Sequence, residues 1–88
     1  MGGDASGRPV GFHPMRDKAQ NIKVGAAIRK FREKLGVTQD DFADKIDMHR
    51  AYYGEIERGK LNLTLRTLTR VCAGLGVKIW EVFREADM

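Results

Sequence analysis

From Ile22 onward, apolar side chains recur at spacings of three and four, and no stretch alternates apolar with polar as a strand would. Val24, Ala27, Ile28, Phe31 and Leu35 draw one stripe, while Lys23, Arg29, Lys30, Glu33 and Lys34 take the opposite side. Gly36 ends this first predicted helix. Thr38 offers an N-cap to a second, with Asp40 and Asp41 placed against its positive end. That helix is about two turns long and turns Phe42, Ala43 and Ile46 inward. Asp47 and Met48 make a break, and a third short helix is predicted from about His49 to Glu57, stopped by Gly59. Thr64 caps a fourth helix with an inner stripe of Leu65, Leu68, Val71, Cys72 and Leu75. Gly76 closes it, and Ile79, Val82 and Phe83 line a fifth. The pattern predicts an all-α, compact five-helix domain.

Residues 1–21 break with this pattern. They are rich in glycine, hold both prolines of the chain and show no apolar period, so they read as a flexible leader ahead of a domain spanning 22–86. Arg8, Arg16 and Lys18 would let the leader act as a minor-groove arm, but Asp4 and Asp17 offset much of that charge. His13 has no partner there that would make it a ligand.

Composition then narrows the function classes. Eighty-eight residues allow one small domain with a modest core. Sixteen Lys and Arg against twelve Asp and Glu leave a net charge of +4, compatible with a polyanion partner though common among soluble domains. The single cysteine excludes an internal disulfide. No apolar run is long enough to span a bilayer, and the start lacks a signal-peptide layout, so a cytoplasmic protein is expected. Two isolated histidines and one cysteine on an apolar stripe form neither a metal set nor a base–nucleophile pair, which argues against an enzyme.

The short break between the second and third helices suggests a helix-turn-helix. The residues add detail: Thr38, Gln39, Phe42, Ala43 and Ile46, then Arg50 and Tyr52, then Ile56, Glu57, Arg58, Gly59 and Lys60. In this order they resemble the Cro and phage-repressor (XRE) type of helix-turn-helix. The run LTLRTLTRVCAGLGVKIWEVF resembles the ending of that family, with Cys72 in place of an alanine. Within it, Arg50-Ala51-Tyr52, Ile56 to Gly59 and Asn62-Leu63-Thr64 are similar to the controller regulators of restriction–modification systems. The resemblance covers about residues 22 to 84. It implies a lambda-repressor-like fold, a double-stranded DNA partner, and neither cofactor, metal nor small-molecule effector.

In that family mode the third helix lies in the major groove. Positions 50, 51, 54 and 55 then face DNA, and 53 and 56 face the core. Arg50 is placed either to bond guanine O6 and N7 together or to hold a phosphate. Ala51 can touch a thymine methyl, and Gly54 lets the helix approach closely. Glu55 has three readings: acceptor from a cytosine N4, support for an arginine, or a surface ion pair with Arg58. Gln39, Lys60 and Asn62 are implied phosphate contacts. Tyr52 and His49 can reach phosphates as well, and exposed decoration is an equal reading of Tyr52. His49 stands at an N-cap that the family fills with Ser, Thr or Asp, so Asp47 is the expected cap. Arg32 and Glu57 match a partly buried ion pair that aligns the third helix on the first. Cys72 reads as a small core residue.

One recognition helix reads too few base pairs to select a genomic site, so a homodimer on a palindromic operator is expected. Trp80, off the inner stripe of the last helix, is its candidate interface anchor. A sequence-specific transcriptional regulator is the leading reading. The alternative is a protein-interaction module of the antitoxin or coactivator kind on the same fold.

Overall fold

The computed structural model describes residues 14–88, with side chains from residue 18 onward. Five helices follow in order, α1 (Pro14–Leu35), α2 (Gln39–Lys45), α3 (Arg50–Glu57), α4 (Leu65–Leu75) and α5 (Ile79–Glu85), with no strand among the described residues. Thr38 and Thr64 cap α2 and α4, each hydroxyl accepting from a backbone N–H three residues on, at 3.1 Å.

α1 begins about two turns before the position its apolar period predicts. Residues 14–21 therefore belong to a helix and not to an aperiodic leader. Proline suits the first helical position, where its missing N–H would have no partner. Lys18, Ala19 and Gln20 are exposed, so these three positions add no apolar stripe for a periodicity argument to detect. Residues 1–13, Arg8 and His13 among them, lie outside the described residues, as does the Arg16 side chain.

The core is shared by every helix. Its largest fully buried side chains are Ile28 of α1, Phe42 of α2, Tyr53 and Ile56 of α3, Val71 of α4 and Val82 of α5. The rings of Phe42 and Tyr53 lie 5.1 Å apart, tilted by 51°, a favourable aromatic arrangement. Three expected core residues are instead exposed: Leu35, Leu65 and Phe83. Leu35 and Leu65 are the last and first residues of their helices. The buried stripe of α5 runs through Val82 and Ala86, one turn apart, with Ile79 at its edge. Phe83 is rotated off it by one residue and shares the open face with Trp80, three residues back.

α1 crosses α3 at close range because Gly25 has no side chain. A Cβ there would lie 2.5 Å from the Ile56 carbonyl oxygen and 2.6 Å from that of Glu57. Gly59 answers a second demand, turning the chain out of α3 at φ +73° while passing against Ile22 of α1.

The same crossing contains a buried ion pair. Arg32 of α1 donates to Glu57 of α3 through Nε at 2.6 Å and Nη2 at 3.1 Å. Its Nη1 donates to the Val37 carbonyl, at 2.7 Å, in the α1–α2 connection. Glu57 also accepts from the Tyr53 hydroxyl at 2.5 Å and from Gln39 Nε2 of α2 at 2.8 Å. One carboxylate thus collects four hydrogen bonds from three helices. Burial pushes the Glu57 carboxyl upward, but the bonds from Arg32, Tyr53 and Gln39 outweigh it and hold the group below the usual carboxylate range. Burial, followed by the bond to Glu57, drives the Tyr53 hydroxyl well above its ordinary value.

Glu57→Ala should cost about 3–5 kcal/mol, because it strands a buried guanidinium. The paired change Arg32→Met with Glu57→Leu should recover much of that loss in thermal unfolding. Since the native carboxyl titrates below its unfolded value, the stability it contributes is complete above the ordinary glutamate pKa of about 4.3. That contribution disappears as pH falls through the lower native value, so the Leu-containing pair should show a shallower acid loss than the natural chain. Gly25→Ala should cost at least about 1–3 kcal/mol, since the obstructing atoms are backbone carbonyls.

Candidate nucleic-acid interface

Residues 46–49 join α2 to α3 in a tight turn. Asp47 takes a left-handed backbone, φ +54°, and the Met48 N–H returns to the Ala43 carbonyl at 2.8 Å. Arg70 of α4 reaches across to the open end of α2, donating to the Ile46 carbonyl at 3.1 and 2.9 Å and also to that of Asp47. This guanidinium serves the helix C-terminus, whose carbonyls need donors. His49 is the N-cap residue of α3, and its side chain makes no capping bond. The cap expected from Asp47 is not formed either: its left-handed backbone is committed to closing α2. The first turn of α3 also contains no acidic residue, so its positive end is not offset from within the helix.

α3 divides cleanly between two environments. Tyr53, Ile56 and Glu57 are buried, while Arg50, Ala51, Tyr52 and Arg58 are exposed. Gly54 is buried by side chains and not by the core: a Cβ there would meet the Arg58 guanidinium at 3.3 Å and Gln39 Oε1 at 3.5 Å. Gln39 and Arg58 therefore flank the narrowest part of the helix surface. Arg58 pairs with Glu55, and this bond holds the Glu55 carboxyl below its ordinary pKa. The contact satisfies the ion-pair reading of Glu55.

Arg50 meets partners that sequence spacing did not suggest. Its Nε and Nη2 donate to Asp44 of α2 at 3.2 and 2.7 Å, and its Nη1 lies 3.6 Å from Asp40. The hydrogen bond from Arg50 lowers the Asp44 pKa, and the same bond raises that of Arg50. All three side chains are exposed. A signal existed, opposite charges on either side of a four-residue turn, but its meaning depends on how sharply that turn folds.

Arg50, Ala51, Gly54, Glu55 and Gln39 thus share one surface built on α2 and α3. Lys60 and Asn62 follow α3 in the loop toward α4, both exposed. The Asn62 amide oxygen accepts from Asn21 Nδ2 of α1 at 2.8 Å, which anchors the loop to that helix. Trp80 stands apart on α5, a helix packed against α1 and α4. Its ring is exposed on one side and carries the Arg84 guanidinium 4.8 Å from its centre.

Comparison with known proteins agrees with this geometry. The helix-turn-helix family model matches residues 28–79. The control protein C.MunI of Mycoplasma sp. is 40% identical over 67 residues, which are 75% of this chain and 90% of that protein. Among solved structures, the clp gene regulator ClgR of C. glutamicum superimposes with a TM-score of 0.73 at 34% identity, covering 77% of this chain and 88% of its own. The restriction–modification controller C.Esp1396I, solved as a tetramer on its natural 35 base-pair operator, gives a TM-score of 0.69 at 34% identity, over 78% of this chain and 96% of that one. With its sequence register, its five helices and these relatives in agreement, the chain belongs to the XRE-type helix-turn-helix family of transcription regulators.

Proposed function

We propose that the protein is a sequence-specific regulator of transcription that binds double-stranded operator DNA as a homodimer, with α3 in the major groove. One observation carries this reading. The exposed face of α3 offers Arg50 and Ala51, with Gly54 adding no side chain beneath Gln39 and Arg58, while its buried face is fixed to α1 and α2 through Glu57. Precise placement of a few side chains is what base readout requires. A controller that is 34% identical and solved on its operator supports the same use of this fold. The control protein of Mycoplasma supports the narrower reading of a restriction–modification controller. No helix among the described residues is long and apolar enough to cross a membrane, and a DNA-binding regulator works where the chromosome is, in the cytoplasm.

Roles divide along the surface. Arg50 reads a base, with Ala51 and Gly54 permitting close approach and Glu55 holding Arg58. Lys60 and Asn62 hold phosphates beside α3, joined by Gln39, Tyr52 and His49 at its margin. Chemistry by the protein is not required, and the family is one of regulators and not of enzymes.

The dimer contact is assigned to α5. Trp80 and Phe83 lie one turn apart on its open face, at 57% and 36% exposure, an apolar strip that one copy leaves in water. Aromatic anchors of this kind are favoured in interfaces.

Arg50→Ala should lower discrimination at one base pair of each half-site by about 1–3 kcal/mol. Lys60→Ala should instead weaken binding to every duplex and reduce the salt slope by about one ion. Titrations over salt and over single-base operator variants separate the two. A uniform loss in Arg50→Ala would remove it from base readout. In sedimentation, Trp80→Ala should shift the dimer toward monomer while helix content stays unchanged. A dimer of undiminished stability would move the interface elsewhere.

A further inference from the structure

Arg50 has two donor edges, and the structure occupies only one of them. Nε and Nη2 form the side-on edge, and Asp44 accepts from both, at 3.2 and 2.7 Å. Nη1 and Nη2 form the end-on edge. Asp40 stands 3.6 Å from Nη1, an ion-pair distance beyond hydrogen-bond range, so among the described residues Nη1 donates no hydrogen bond.

We propose that Asp44 is a specificity-determining positioning residue, which grips the side-on edge of Arg50 and presents its end-on fork to a guanine. The proposal rests on the assignment of Arg50 to base readout and adds what makes that readout selective. An unsupported arginine on an exposed helix samples many rotamers and can swing to the nearest phosphate, which binds every sequence alike. A carboxylate on the neighbouring helix removes that freedom. Two parallel N–H···O bonds fix the plane of the guanidinium as well as its position. Asp44 belongs to α2 and Arg50 to α3, so the bond spans the turn and keeps the guanidinium in register with both helices.

The charges favour selectivity over affinity. Asp44 neutralises Arg50 in the free protein, and Asp40 adds a second negative charge nearby. This corner of the protein therefore gains little from the phosphate backbone and depends on a directed contact. Were the acids a simple restraint on the arginine, occupying the end-on fork would block readout most effectively. Asp40 instead stands 3.6 Å from Nη1, outside hydrogen-bond range.

The test uses the full chain, a duplex selected from a random pool by the natural protein, and its single-base variants, all at one salt concentration. Asp44→Asn should reduce discrimination at the Arg50-dependent base pair by roughly three- to tenfold, part of what a bidentate guanine contact supplies. Its affinity for random-sequence duplex should rise, because a negative charge has been removed. Asp44→Glu, which keeps the carboxylate, should retain more discrimination than Asp44→Asn. Thermal unfolding of both variants should match the natural chain, since an exposed pair contributes little to stability. Arg50→Ala is measured in parallel. If it loses discrimination while Asp44→Asn keeps it, the positioning role is wrong and the readout role of Arg50 stands. If Asp44→Asn binds the selected duplex more tightly with discrimination intact, Asp44 competes for the arginine and does not support it. If Arg50→Ala weakens all duplexes equally, both assignments fail together.

Discussion

A single carboxylate, that of Glu57, fixes the position of the helix on which function depends. It draws donors from α1, from α2 and from one turn back on α3. An apolar contact in the same place would resist separation but tolerate sliding and rotation. Hydrogen bonds to a buried charge do not, because each is directional and its loss leaves a charge in low dielectric. Arg32 extends the constraint by holding the Val37 carbonyl, so the α1–α2 connection cannot shift independently. The pair need not be the most stabilising choice for that site. What it supplies is one orientation of α3, and a domain this small has few other means of specifying it.

That orientation gives the outer surface its meaning. With Tyr53 and Ile56 committed to the core, Arg50 and Ala51 are left at fixed angles to solvent. The acids of α2 then act on an arginine whose backbone does not wander. The surface is mixed in charge: Asp40, Asp44 and Glu55 stand among Arg50 and Arg58. A net charge of +4 spread in this way favours discrimination over strong non-specific attachment. α5 carries the assembly role proposed for Trp80. Its exposed aromatic pair lies on a helix packed against α1 and α4.

Much of this was legible in the sequence, for identifiable reasons. Helix order and most of the core follow from apolar spacing, since a residue at mid-helix can face only one way. The ends were less legible. Leu35 and Leu65 satisfy the spacing but sit where no neighbour covers them, and Phe83 follows Val82 too closely to share its buried face. The sequence of residues 14–21 has no apolar period, so the helical state of these first turns of α1 left no pattern to find. The link between Arg32 and Glu57, 25 residues apart, came into view only through the family resemblance. The bond from Arg50 to Asp44 needed the turn geometry itself, including a left-handed Asp47 that side-chain chemistry alone would have made a cap.

The proposed function requires that α3 read sequence in a two-fold assembly. Selection of bound molecules from a random duplex pool by the full chain tests that most directly. The expected result is an enriched motif with two-fold symmetry, its half-sites separated by about one helical turn, roughly 10–10.5 base pairs, or a multiple of it. Recovery of duplexes with no common motif, or of a single unrepeated half-site bound by a monomer, would contradict it.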